Sequence, residues 1–399
     1  MMLRQLELNE SISDDDAVVI LVGPNGSGKS RFLEKIGKLY QDRRPVCVVS
    51  NTLSLRLNSL RKAKRFAVGR IGKSPKSVIK AALASTLDRD NSAYYQIRAL
   101  MEYCQYKPRF GFRKQGFRPA ALSEFIETGG NLDSLLTTPE QHEDFYRAME
   151  FLGRWPVTKT HWVDETAQVH DFALQREIAS VIRTEATLIK LRVLKGIQVY
   201  VDKGERSGPF EVHNASSGEL SLISSLLFLT AEVEPNSIVL IDEPENSLHP
   251  GWQRAYVEKV LAALAYHNVS VIIATHSPLV VTGALMAHNN LVSVFQMQSG
   301  GPHRLRLQHL NSVDTSIEAV LWRAFDVVTP ANHFISEEVV DAINRFERDE
   351  ITKDNISNML QHMRARSFDR RQDEFFKAIT ELVETVEQRK AQRIARGGN

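Results

Sequence analysis

Apolar runs of five to seven residues punctuate the beginning and the second half of the chain: AVVILV (17–22), PVCVVS (45–50), SIVLI (237–241), VSVIIA (269–274) and LVSVFQM (291–297). Each is apolar at successive positions, not alternate ones, and rich in β-branched residues. A strand with that pattern is buried on both faces. Between the runs the spacing becomes helical. Lys29–Tyr40 places Phe32, Ile36 and Leu39 to one side, Gly218–Ala231 reads as a hydrophobic helix, and Trp252–Tyr266 carries Tyr256, Val257, Val260, Leu261 and Leu264. Strands alternating with helices predict a parallel sheet with right-handed crossovers. Upstream, residues 3–8 (LRQLEL) alternate like a half-buried strand, and an acidic turn, Asp14–Asp16, follows.

From about 52 to 190 the pattern is different. Strand-like runs are few, and helical spacing recurs at 76–87, 92–105, 139–153 and 170–192. No heptad is sustained, which argues against a coiled-coil arm. IQVYVDK (197–203), a GERSGP turn and FEVHN (210–214) then read as a hairpin. Near the end, Phe375, Ile379, Leu382, Val383 and Val386 form a stripe that must pack on something. The expected organisation is a discontinuous α/β core over 1–52 and 195–325. A mostly helical insertion occupies 53–194, and a helical segment 326–399.

Composition narrows the class only a little. The 399 residues carry 50 Lys+Arg against 48 Asp+Glu, so any contact with a polyanion must come from local clustering. The two cysteines, Cys47 and Cys104, are far apart and show no metal-ligand spacing, which suits a reducing cytosol. The first residues lack the layout of a signal peptide. No apolar run approaches the roughly 20 residues of a membrane span. A cytoplasmic location without a membrane span is expected.

The chemistry begins at GPNGSGKS, residues 23–30, which matches the phosphate-loop pattern GxxxxGK[ST] between a buried strand and a helix. There the backbone of Gly23, Pro24, Asn25, Gly26, Ser27 and Gly28 wraps a phosphate, every residue but Pro24 offering an N–H. Lys29 reaches its outer oxygens, and Ser30 ligates Mg²⁺. In IDEPENSLHP a buried strand delivers Asp242 and Glu243 to one edge of the sheet. Asp242 suits a magnesium shell, and Glu243 suits a general base for an attacking water. An acidic helix N-terminus is the plainer alternative for that pair. In IIATHSP, His276 follows another buried strand and reaches the same edge, where a phosphate contact outweighs a purely structural role. In ASSGELS, Ser216, Ser217, Gly218 and Glu219 open a helix. They form either a simple cap or a second anion cradle for a nucleotide held by another subunit.

The order of these motifs resembles the ABC ATPase superfamily, with its Walker A, signature, Walker B, D-loop and switch histidine. The resemblance covers 1–52 and about 195–300. It implies an ABC-type P-loop ATPase head with a mixed, mainly parallel sheet, ATP and Mg²⁺ as ligands, and a head-to-tail dimer that sandwiches nucleotide. It assigns Ser216 and Gly218 to the partner's γ-phosphate and Asn246–Leu248 to the D-loop. The signature departs from LSGGQ at Ala215, Ser217 and Glu219, and Asn51 stands where a Q-loop glutamine is expected. SSGE, IDEPENSLHP and ATHSP are similar to the non-transporter RecF- and OLD-like branch. Within it the chain looks most like the ATPases of Septu and retron-associated Septu-like anti-phage systems. That resemblance implies a separate HNH-type nuclease partner and contact with DNA or reverse-transcribed DNA/RNA. A RecF-type repair ATPase is the first alternative. A transporter subunit is the second, disfavoured by the missing glutamine.

Two basic stretches are candidates for nucleic acid. Residues 51–80 contain no acid but carry Arg56, Arg61, Lys62, Lys64, Arg65, Arg70, Lys73, Lys76 and Lys80. YKPRFGFRKQGFR (106–118) interleaves aromatic residues with Arg113, Lys114 and other cations. Charge neutralisation plus stacking is how sequence-tolerant binding is built. A solvated helix face and a core-packing hairpin are the respective alternatives. No nuclease motif is visible, and Asp88 and Asp90 form an isolated pair.

Overall fold

The structure is a computed structural model that describes residues 17–51, 56–67, 75–87, 92–164, 171–204, 208–265, 267–298, 301–305, 317–325, 333–365, 376–377 and 379–388. The expected strand at 3–8, the turn at Asp14–Asp16, Arg70, Lys73, the Asp88/Asp90 pair and Phe375 lie outside these residues.

The chain opens with β1 (Ala17–Val22), α1 (Lys29–Tyr40) and β2 (Val46–Ser50), followed by β3 (Lys64–Ala67). Next come α2 (Pro75–Leu87), α3 (Ser92–Tyr103), β4 (Arg109–Phe117), α4 (Ala120–Glu127), α5 (Pro139–Arg154), β5 (His161–Asp164) and α6 (Asp171–Lys190). β6 (Leu194–Asp202), β7 (Pro209–Glu211), α7 (Ser217–Glu232) and β8 (Ile238–Asp242) lead into the second half. That half continues with α8 (Pro250–Ala263), β9 (Ser270–Ala274), α9 (Pro278–His288), β10 (Val292–Gln298) and β11 (Gly301–Arg304). It ends with α10 (Ile317–Phe325), α11 (His333–Glu347) and α12 (Lys353–Ala365). Residues 379–388 are helical too.

Among the described residues the main sheet has seven strands in the order β11-β10-β1-β9-β8-β2-β3. It is parallel apart from the β10/β11 pair. Its register sets Val19 beside Ile272, Ile272 beside Leu240, and Leu240 beside Val48. The continuous apolar runs are explained by burial on both faces. Val19, Leu21, Leu240 and Ile272 pack with Phe32, Leu33, Ile36 and Tyr40 of α1. Val18, Ile20, Val239, Ile241, Val271 and Ile273 point into the opposite core, with Leu222 and Leu226 of α7 and Val257 of α8. Leu39, expected on the buried side of α1, is exposed, and Leu33 and Tyr40 take that role.

The apolar character of α7 also has a cause. The sheet lies on one side of this helix, and α2 and α3 of the insertion pack on it as well. A helix covered on all sides needs no polar stripe. The insertion is not purely helical: β3 extends the main sheet, while β5, β4, β6 and β7 form a second, antiparallel sheet in that order. The expected hairpin is the β6/β7 pair, shortened because the chain coils into a 3₁₀ turn at Val212. α11, α12 and the 379–388 helix share a core of their own, including Val339, Phe346, Ile356, Met363 and Val383, to which α10 lends Trp322. Ile379 is partly buried there, and Leu382 is exposed.

Candidate functional site

Because β1, β2, β8 and β9 run parallel, their carboxyl ends meet at one sheet edge, where open α/β folds place their ligands. β1 ends there in the glycine-rich loop, β2 in Asn51, β8 in Asp242–Glu243 and β9 in Thr275–His276.

The loop turns through left-handed backbone at Gly26 (φ 82°) and Gly28 (φ 94°), a conformation that a side chain would strain. Gly28 also caps α1, and Pro24, Asn25 and Gly26 are exposed, with the helix N-terminus behind them. That geometry fits a phosphate cradle. The Lys29 side chain is buried across the loop, and its Nζ donates to the carbonyls of Gly23 (2.7 Å) and Pro24 (3.2 Å). Burial lowers the pKa of that ammonium, while Glu243, Glu245 and Asp242 pull it back up.

Ser30 and Asp242 are 212 residues apart in sequence, yet Ser30 Oγ donates to Asp242 Oδ1 at 3.0 Å. Asp242 is fully buried, and its Oδ2 has no hydrogen-bond partner. Burial pushes this carboxyl up to about 6 in spite of the Ser30 hydrogen bond, and the neighbouring Glu243 adds to the rise. A buried carboxylate oxygen without a donor, beside a loop hydroxyl, fits a Mg²⁺ ion. Mg²⁺ takes one or two protein oxygens and fills its shell with phosphate and water.

Glu243 follows in left-handed backbone (φ 49°), a strained position for a side chain, held by its own N–H on the Ala274 carbonyl (2.8 Å). Its Oε2 accepts from Asn246 Nδ2 at 3.0 Å, and its Oε1 stands 3.9 Å from His276 Nδ1. Glu245, which sequence reasoning passed over, comes closer to the histidine. Its Oε1 accepts the His276 backbone N–H at 2.7 Å and lies 3.1 Å from Nδ1. One signal was available, because IDEPEN offers a third acid on the turn that carries the other two.

Asn51 is tied into the same turn. Its side chain donates to the Pro244 carbonyl (3.2 Å) and accepts from Ser221 Oγ of α7 (3.2 Å). Ser216 caps α7 in a reciprocal box with Glu219, so the plainer reading of that motif holds as local structure. Glu219 is held further by Lys203 at 2.5 Å, and Lys203 lies 5.0 Å from the ring centre of Tyr106. Ser216 and Ser217 remain exposed at the mouth of a cavity of about 650 Å³, which Ser247, His249 and Trp252 also line. That cavity is lined by none of residues 23–30.

The basic candidates fare differently. Arg61 is exposed, Lys62 pairs with Asp42 at 2.8 Å, and Lys64 pairs with Glu234 at 2.9 Å and Glu232 at 3.5 Å. Burial lowers the pKa of Arg65, whose Nε has no partner. Lys76 meets Glu211 and Lys80 meets Glu185, so acids from distant segments face the stretch that has none of its own. Lys114 requires a correction. It is buried and its Nζ donates to the Leu152 carbonyl at 2.6 Å, so it offers no charge to a nucleic acid. Tyr106, Phe110 and Phe112 are likewise core residues and not stacking platforms, since all three are buried in the main hydrophobic core. Arg113 is partly exposed, donates to the Thr158 carbonyl and lies over Tyr200.

The family described as "AAA domain, putative AbiEii toxin, Type IV TA system" matches residues 158–282, just under a third of the chain. That stretch includes Ser216–Glu219, Asp242–Glu243 and His276. The "Retron Vc95 probable ATPase" of Vibrio cholerae serotype O1 biovar El Tor is 38% identical over 82 residues, which cover 18% of this chain. The match spans about a sixth (16%) of that relative's length. Among solved structures, the Smc head domain with an extended coiled coil, bound to the C-terminal domain of ScpA and derived from Pyrococcus furiosus, aligns over 74% of this chain and 90% of its own. The sequence identity is 11% and the TM-score 0.28. The mainly parallel sheet and the motifs gathered at one edge fit a P-loop ATPase fold, and the family matched over 158–282 is described as an AAA domain.

Proposed function

We propose that the chain binds and hydrolyses ATP and works as a nucleotide-driven switch. The observation that carries this is the 3.0 Å bond from Ser30 to buried Asp242, with Glu243 and His276 at the same edge. Loop N–H groups and Lys29 hold the phosphates, and Ser30 and Asp242 hold Mg²⁺, which supplies charge neutralisation on the phosphate oxygens when bound. Glu243 takes the proton of the attacking water at a carboxylate oxygen, and His276 contacts the terminal phosphate. Residues Ser216–Glu219 serve the nucleotide of a second copy in a head-to-tail dimer, and Asn51 links the β8 turn to α7.

The reading extends to an ATPase subunit of an anti-phage complex that controls a separate nuclease, supported by the resemblance to a retron ATPase and by the motif variants. Among the described basic candidates, exposed Arg61 and partly exposed Arg113 are the cations proposed to meet nucleic acid.

ATP turnover and oligomeric state of the purified chain are the test. Wild type should turn over ATP. Glu243→Gln should retain binding, lose about 100-fold or more in kcat and accumulate as an ATP-bound dimer. Lys29→Ala should lose binding. Wild-type turnover in Glu243→Gln would overturn the catalytic assignment. Absence of a nuclease from affinity purifications would remove the defence role.

A further inference from the structure

Glu245 is a buried carboxylate with no part in the scheme above. Its side chain is 5% exposed, whereas that of His276 is 40% exposed. A buried carboxylate persists only where donors meet it. Here one oxygen, Oε1, meets both the backbone N–H (2.7 Å) and Nδ1 (3.1 Å) of the same histidine, and Oε2 has no partner. A carboxylate oxygen 3.1 Å from Nδ1 favours the tautomer that carries hydrogen on that nitrogen. That assignment leaves Nε2 as the nitrogen available to the substrate. The next residue is fixed independently: Ser277 Oγ donates to Gln253 at 2.7 Å, and Ser277 N–H donates to Thr275 Oγ1 at 3.0 Å.

We propose that Glu245 is a positioning residue for His276, tying its backbone and ring to the β8 turn so that Nε2 is presented to the terminal phosphate. The proposal rests on the ATPase reading above. It makes the turn after β8 the support of the histidine as well as the source of the base, so the two groups move as one unit.

The test compares Glu245→Ala, Glu245→Gln, His276→Ala and the double variant Glu245→Ala/His276→Ala in steady-state ATP hydrolysis. Glu245→Ala should lower kcat about 10–100-fold with KM held within about twofold. Glu245→Gln keeps an acceptor for the backbone N–H and should recover part of the loss. The double variant should be no slower than His276→Ala, because the two residues act as one unit. Multiplicative losses, or an unchanged kcat in Glu245→Ala, would overturn the proposal. Nitrogen NMR of the His276 ring provides a readout independent of turnover. Wild type should carry hydrogen on Nδ1, and Glu245→Ala should shift that population. Identical ring spectra would reject the positioning role even if the wild type hydrolysed nothing, an outcome that would separately defeat the ATPase reading.

Discussion

At residue 218 the absence of a side chain does more than open a helix. A Cβ built on Gly218 would fall inside the van der Waals shell of the Ser247 carbonyl oxygen, so the start of α7 and the turn after β8 touch backbone to backbone. At an ordinary helical position Gly→Ala gains about 0.5–1 kcal/mol. Here the added methyl meets a carbonyl that cannot swing away, and overpacking of this kind costs about 1–3 kcal/mol. Gly218→Ala should therefore lower the thermal midpoint. Ser217→Ala, one residue earlier and exposed, should change stability by no more than about 0.5 kcal/mol. Equal midpoints for the two variants would show that the turn can yield.

Among the elements, the joint between β4 and β6 depends on one buried acid. Asp202, 1% exposed at the end of β6, accepts from Arg109 of β4 and from the Gly204 N–H at 2.7 Å. Burial alone would raise this carboxyl, but the Gly204 and Arg109 hydrogen bonds outweigh it and hold it below the ordinary range. A depressed carboxylate contributes stability above its unfolded pKa and loses it as the pH falls through the folded value. Asp202→Asn should thus cost about 2 kcal/mol at pH 7, and the gap to wild type should start to narrow only below about pH 4, as the pH falls towards the depressed folded value. A gap independent of pH in chemical denaturation would contradict this account. The same joint marks where the sequence was hard to read. Apolar runs and helical spacing located β1, β2, β8, β9, β10 and most helices, since burial on both faces leaves a plain imprint. β4 has two glycines and three cations in nine residues, so its inward Phe110 and Phe112 looked like an exposed stacking face. β3, four residues with two cations, left no strand signal. The loop at 23–30 and the strand-end residues Asp242 and His276 were legible as motifs. Glu245 was not, because its meaning lies in a contact with a residue 31 positions away.

For the whole molecule, one core runs from the main sheet into the insertion, uniting Ile20 and Ile241 with Phe112, Phe145 and Ile182. The C-terminal helices gather around a separate core that includes Val339, Phe346 and Met363. Two cores without shared side chains should open independently. Phe346→Ala should raise hydrogen exchange across 333–388 and leave α1 and β8 protected, with ATP affinity unchanged. Loss of protection across the main sheet would show the two cores to be one cooperative unit.

The position of β1 in the sheet also sets a schedule for synthesis. β1 lies between β9 and β10, so its pairing partners are translated about 250 residues after it. At roughly 5–20 residues per second, that leaves the strand at the head of the phosphate loop waiting on the order of 10–50 s on the ribosome. For that interval AVVILV is a ready-made edge for any other nascent chain. The candidate site is therefore complete only once β8 and β9 have been made, and β1 is the strand that waits longest for its partners.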